Sequence, residues 1–318
     1  DASTVTIDGE YLVNEMLYVV ASDVTIADVT ITHAVDHLVH IVTEGAADVR
    51  RVRLHGLRLI DGGEQFVKEN PGGAGGFVDD GIVECSFFQL TDAGRPRVER
   101  TPGGCYTGGI DMHQARGWHV HHNRFEDIYC AGEGLAEHAI HYWVGSRDTL
   151  VENNTIVDCA RGIGFGLVES GPSRSYPDDP YPGLFVGHYD GMIRNNVIYA
   201  ETPFYDTGIE LDQARGARVF FNTVVSSDTA TGFFSSIDYR FASTLVELRN
   251  NLVRRITERN GGVAMRGTNL ETTDLGLFVS AAGGDFHLVA GAAAAIDQGV
   301  AVTDGGLDMD GETRDAGA

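Results

Sequence analysis

Short runs in which Val, Ile, Leu and Phe alternate with polar residues recur along the whole chain, separated by Gly, Asn and Asp and never by a segment of helical period. Five carry an asparagine followed two residues later by an apolar residue: Asn123-Arg-Phe125, Asn154-Thr-Ile156, Asn196-Val-Ile198, Asn222-Thr-Val224 and Asn251-Leu-Val253, at spacings of 26 to 42 residues. Ser86-Phe-Phe88 occupies the same slot one repeat earlier. A second series lies about half a repeat away: Gly109-Ile-Asp-Met-His113, Ala139-Ile-His-Tyr-Trp143, Gly162-Ile-Gly-Phe-Gly166, Gly208-Ile-Glu-Leu-Asp212, Ser236-Ile-Asp-Tyr-Arg240 and Gly262-Val-Ala-Met-Arg266. Each repeat therefore supplies at least two short strands.

Strands recurring at this period without crossover helices predict a coil of stacked parallel strands. Leucine-rich repeats need a shorter period and a leucine consensus, and a propeller needs antiparallel hairpin signals; neither pattern is present. The expected fold is all-β, a single right-handed parallel β-helix of about 8 to 10 turns. It is expected over residues 1–283 with N-terminal cap strands, followed by an irregular C-terminal capping segment over 284–318. The asparagine series reads as structural: Asn tolerates the left-handed backbone of a tight turn, and stacked Asn side chains can bond between turns.

This repeat architecture, over roughly Val5 to Gly267, resembles the pectate-lyase-like superfamily of secreted parallel β-helices, which includes polysaccharide lyases and polygalacturonase-like enzymes. The tail, with Asp285-Phe-His-Leu, Ala295-Ile-Asp-Gln-Gly299 and Asp308-Met-Asp-Gly-Glu-Thr-Arg314, resembles the closing segment of secreted bacterial β-helix proteins. The resemblance implies a secreted or extracellular protein acting on a polysaccharide. No catalytic signature of the superfamily is matched residue by residue; the Asn-Thr-Asp, Gly-His-Gly and Arg-Ile-Lys motifs of polygalacturonases are missing.

Strand alternation assigns faces to the second series. Ile110, Ile140, Ile163, Ile209, Ile237 and Val263 point inward, as do Met112, Tyr142, Phe165, Leu211, Tyr239 and Met265 two places on. Outward then stand Asp111 and His113, His141 and Trp143, Gly164 and Gly166, Glu210 and Asp212, Asp238 and Arg240, and Ala264 and Arg266, with Lys68 extending the row. A sugar polymer could lie along this strip, with Trp143 as a stacking platform and Gly164 and Gly166 leaving room for a ring; Asp111 and Arg266 complete the substrate-binding set. The segments 91–107, 131–137 and 168–185 border the strip, the last with Tyr176, Tyr181 and Pro177-Asp-Asp-Pro180 as a wall or lid.

Two chemistries fit. β-Elimination on a uronate polymer needs a base and a cation to neutralise the carboxylate. Lys68, His113 and His141 are the candidate bases, and Arg240, or calcium held by Glu210, Asp212 and Asp238, the neutraliser. Glycoside hydrolysis needs a carboxyl pair, which Glu210 with Asp212 or Asp238 could form. A third reading is a noncatalytic carbohydrate-binding or cell-surface module. The formal net charge of −23, from 46 acidic and 23 basic residues with Lys68 the only lysine, excludes nucleic acid as a partner.

No apolar run reaches the ~20 residues of a membrane span, and a monomer is expected. The tail carboxylates Asp304, Asp308 and Asp310 resemble a calcium loop without the full EF-hand spacing. Trp118-His-Val-His-His122 and Glu137-His-Ala-Ile-His141 have metal-like composition. Alternation, however, sends His119 and His121 to one face and His122 to the other, and His138 and His141 lack the helical spacing of a zinc protease. Cys130 and Cys159 fall at similar phases of neighbouring turns and could stack or pair.

Overall fold

In the computed structural model, which describes residues 2–98, 105–132 and 134–314, the strands stack into three all-parallel sheets and form a β-helix of about nine turns. Each turn passes through the sheets in the same order, as in Arg53–His55, Arg58–Ile60 and Gln65–Asn70. One sheet begins right after the asparagine series and contains Arg124–Glu126 and Thr155–Val157. A second carries the outward strip and runs from Glu15–Val19 through Gly108–His113, His138–Trp143, Arg161–Phe165, Thr207–Asp212 and Ser235–Arg240 to Ile256–Arg259. The third includes His119–His121 and Leu150–Glu152. Among the described residues no helix is long and apolar enough to cross a membrane.

The core is a stack of inward apolar residues, several from each turn: Val83, Phe88 and Ile110, then Val120, Phe125 and Ile140, then Val151, Ile156 and Ile163, all essentially without exposure. Phe88 and Phe125 stack with ring centres 4.3 Å apart. These columns form because the core residues of successive turns pair in register, Ile110 on Ile140 and Ile163 on Ile209, so like residue types sit directly over one another.

The asparagines form a continuous buried ladder. Asn123 Nδ2 donates to Asn154 Oδ1 (3.0 Å), Asn154 to Asn196 (3.0 Å), Asn196 to Asn222 (3.0 Å), Asn222 to Asn251 (3.0 Å) and Asn251 to Asn269 (2.8 Å). Each ladder oxygen also takes a backbone N–H of the previous turn, as Asn196 Oδ1 does from Asn154 (3.0 Å). The left-handed residue of each corner is not the ladder Asn but the one before it: His122, Asn153, Asn195, Phe221 and Asn250, with φ between 53° and 56°. The ladder Asn is selected for its amide group, which bonds the main chain of the preceding turn and of its own turn and the side chain of the next ladder Asn, as Asn196 does with Val151 O, Arg194 O and Asn222 Oδ1.

One expectation is corrected here, and one open question is answered. Val263–Gly267 pairs with Leu245–Arg249 in the third sheet, and Ile256–Arg259 takes the ninth place on the strip. Val263 and Met265 are accordingly 53% and 56% exposed, and Arg266 lies off the strip, donating to the Tyr239 hydroxyl (2.8 Å). The disulfide joins Cys105 to Cys130, leaving Cys159 a buried free thiol and Cys85 an exposed one. The tail runs back along the flank: Phe278 and Ala281 cluster with Tyr199 and Val225, and Asn195 Nδ2 donates to Gly305 O (2.9 Å).

Candidate functional site

The strip strands bend near their start. Gly109, Gly162 and Gly208 face inward, where an added Cβ would collide with Phe125, Ile198 and Val224, and the isoleucines that follow also face inward. The residue before each glycine, or before Ala139 in its register, is thereby turned outward. His138 and Arg161 join the outer face by this route, which strict alternation from Ile140 and Ile163 would deny them.

The outward side chains divide into two clusters. The first centres on Asp111. Its Oδ1 accepts from Trp143 Nε1 (2.8 Å), and its Oδ2 takes an ion pair from Lys68 and lies 3.3 Å from His113 Nε2. Lys68 Nζ also reaches His113 Nε2 at 2.9 Å. Asp111 and Lys68 are 3% and 6% exposed. Burial pushes the Asp111 carboxyl up, but the neighbouring His113 and the Lys68 charge outweigh it, and the group is held well below the carboxylate range.

The second cluster holds the three carboxylates. Glu210 Oε1 pairs with Arg240 (2.7 Å), Asp212 Oδ1 accepts from Arg240 Nε (2.6 Å) and Asp238 Oδ1 from Arg259 Nε (2.9 Å). Glu210 Oε2 is held by His138 Nε2 (3.0 Å) and Arg161 (3.3 Å). Burial opposes ionisation of Glu210, yet the His138 contact and the arginines bring its carboxyl below normal, while burial and the Glu210 charge push Asp212 up despite Arg240. Calcium would have to displace Arg240 and Arg259, so this is an ion-pair network and no ready-made oxygen cage.

Between the clusters, His138 and His141 lie with ring centres 4.4 Å apart, and His141 stacks on Trp143. Burial lowers both histidine pKa values, helped by Arg161 for His138 and by His138 for His141. The expected bare floor is filled. An added Cβ on Gly164 would stand 2.7 Å from the His138 ring, and Gly166 (φ 75°) is closed by the Asp212 carbonyl, so neither glycine leaves room for a sugar ring.

Space exists instead at the ends of the strands. A hollow of about 500 Å³ is lined by Asn70, His113, Gln114, Trp143, Val168 and Phe185, among others. The 168–185 segment forms its outer wall and is anchored: Arg174 binds Asp79 (2.6 and 2.8 Å), Tyr176 donates to Gly145 O (2.7 Å) and Tyr181 to Asp190 (2.8 Å). Both tyrosines thus turn away from the strip. A larger hollow, about 710 Å³, lies between the tail and the flank. On the other side, Cys105–Cys130 ties the 91–107 segment to the residue that immediately precedes the 131–137 segment; residues 99–104 and 133 lie outside the described residues.

The remaining candidates are placed apart. Asp304 pairs with Arg218 (3.0 Å), Asp310 with His287 (3.1 Å), and Asp308 Oδ1 accepts the amides of Asp310 (3.0 Å) and Glu312 (2.8 Å), so the three do not converge on one ion. His119 pairs with Glu152 (2.8 Å) and His121 with Glu84 (3.2 Å) on the third sheet. Sequence reasoning missed Arg161 and Arg259, and set Glu137 and His138 aside with the run that contains them. The available signal was the column of small residues Gly109, Ala139, Gly162, Gly208 and Ser236, which marks the bend. Comparison with protein-family models, curated proteins and solved structures found no match.

Proposed function

We propose that this β-helix is an exported polysaccharide lyase that cleaves a uronate-containing polymer by β-elimination, with the reacting ring in the hollow beside Trp143. The observation that carries the reading is the meeting of the single lysine with His113 at the edge of that hollow, Nζ to Nε2 at 2.9 Å.

Elimination requires the base and the carboxylate neutraliser to act on one sugar ring. Arg240 cannot neutralise for a base at His113: their strands are four ladder steps apart, roughly 19 Å at ~4.8 Å per step. Lys68 is better placed. Of its three N–H donors, Asp111 and His113 take two, leaving one for the substrate carboxylate. As Lys68 turns to that carboxylate, His113 Nε2 is freed to take the proton from the neighbouring carbon. The C–H electron pair becomes the new double bond, the glycosidic C–O bond breaks, and the leaving oxygen takes a proton from solvent. Trp143 and the apolar wall at Val168 and Phe185 give the ring a surface to pack on, and the Cys105–Cys130 disulfide suits an oxidising, extracellular setting. The repeat's likeness to the pectate-lyase-like superfamily points the same way.

A second reading, noncatalytic carbohydrate binding, is favoured by the engagement of Lys68 with Asp111, which leaves no free base in the resting geometry. One screen separates the two. The purified chain is incubated with alginate, pectate, chondroitin, hyaluronan and neutral glycans, following ultraviolet absorbance and reducing ends together. Elimination raises both on a uronate polymer, and His113→Ala slows it by ~10²-fold or more. Reducing ends without absorbance mean hydrolysis; binding without either supports the second reading; silence on every polymer overturns both.

A further inference from the structure

We propose that Glu137, His138 and His141 form a binding site for one divalent transition-metal ion of the zinc type. Three described groups bring at least three metal-ligating atoms within 4.8 Å of one another. In one, arginines already neutralise Glu210, Asp212 and Asp238. In another, His55, Glu84 and Cys85, the Glu84 carboxylate is taken by Arg53, His55 and His121. The third is different because its two imidazoles have lone pairs with nothing to accept.

The tautomers follow from the neighbours. His141 Nε2 faces the carbonyl of Gly166 at 3.0 Å and His138 Nε2 faces a carboxylate oxygen of Glu210 at 3.0 Å. Both partners only accept, so both Nε2 atoms carry the hydrogen and each neutral ring presents a bare Nδ1. Both Nδ1 atoms are buried without a hydrogen-bond partner among the described residues, on residues 1% exposed.

The two Nδ1 atoms converge on one oxygen. Glu137 Oε2 lies 3.9 Å from His138 Nδ1 and 3.7 Å from His141 Nδ1, beyond hydrogen-bond range. A tetrahedral ion with bonds of ~2.0 to 2.1 Å separates its ligands by about 3.4 Å, so Glu137 Oε2 needs to approach each nitrogen by only about 0.3 to 0.5 Å, and the three ligand atoms already lie within 4.8 Å of one another. Metal-bound histidines characteristically donate their second nitrogen to a carboxylate or a backbone carbonyl, the roles that Glu210 and Gly166 already fill. Arg161 donates to Glu137 Oε2 (3.1 Å) and lies 3.3 Å from Glu210 Oε2, orienting ligand and supporting carboxylate together. A carboxylate oxygen has a lone pair for each role.

Two imidazoles and one carboxylate select a borderline d-block ion over calcium or magnesium, and three ligands leave a fourth position for water. Asp111 Oδ1 is also close, 3.6 Å from His141 Nδ1. The site is independent of the elimination reading and stands whether or not the protein cleaves a polymer.

The test is calorimetric titration of the metal-stripped full chain with Zn²⁺, repeated with Co²⁺ by visible absorbance. One ion per chain is expected, with affinity at least ~10-fold weaker in His141→Ala and in Glu137→Gln and unchanged in His121→Ala. Glu137 stands at the rim of the site, so Glu137→Gln keeps the test valid should His141→Ala fail to fold. Absence of binding at stoichiometric Zn²⁺, or an ion removed by His121→Ala and retained by Glu137→Gln, overturns the proposal.

Discussion

Replacing Asp111 by alanine should be among the most damaging single changes on the strip, and the cost can be worked from its contacts. The carboxylate is 3% exposed and is the counter-ion of Lys68, itself 6% exposed, and the acceptor for the Trp143 indole N–H at 2.8 Å. Removing one partner of a buried ion pair leaves an uncompensated charge, which costs ~3 to 5 kcal/mol. The orphaned indole donor adds about 1 to 3 kcal/mol. The two effects share a network and do not fully add, so the expected loss is roughly 4 to 6 kcal/mol, a large share of the ~5 to 15 kcal/mol that stabilises a typical folded domain. Asp111→Asn keeps the shape and the acceptor for Trp143 and should cost about 2 to 3 kcal/mol.

The decisive measurement is a double-mutant cycle with Lys68→Met, using urea unfolding followed by circular dichroism at neutral pH. Once Lys68 is apolar, Asp111→Ala no longer strands an ammonium, so the double variant should recover ~2 to 3 kcal/mol relative to the sum of the singles. Because the folded carboxyl is held low, the stabilisation is complete above the unfolded value of ~3.9 and disappears as pH falls toward the folded value. A loss below about 1 kcal/mol for Asp111→Ala, or strict additivity in the cycle, would refute the reasoning.

Two further outcomes are expected. In the ladder, Asn196→Ala should cost ~3 kcal/mol, since it strips the Asn154 amide of its acceptor and the Val151 and Arg194 carbonyls of a donor. Asn269→Ala, half-buried at the ladder's end, should cost about 1 kcal/mol; equal melting points for the two would contradict the ladder's role. Glu69 is fully buried, with Oε2 on the His113 amide (3.0 Å) and Oε1 unpartnered among the described residues, and burial pushes its carboxyl well above the usual range. Since the folded chain keeps this proton after the unfolded chain has lost it, this group makes stability fall as pH rises above ~4.3, levelling off beyond the raised value. Glu69→Gln should therefore be more stable than the parent at pH 8, and a less stable variant would show that the charge is tolerated.

The coil, two of its three strand series and its inward columns were legible from residue order because strand alternation is local: Ile110, Ile140, Ile163, Ile209 and Ile237 face the core wherever their neighbours lie. The asparagine series was legible for the same reason, although the left-handed positions belong to the preceding residues. What the tertiary structure decided is which residues meet across turns, since partners such as Lys68 and Asp111 are 43 residues apart and loop lengths set their register. The short final turn moved Val263–Gly267 to another sheet and brought Arg259 to the strip. The bend at Ala139 turned His138 outward over Gly164, and four strand spacings separated Arg240 from His113. Local periodicity specifies the face a side chain occupies, whereas the chemistry of the strip depends on distances between turns, which only the folded stack defines.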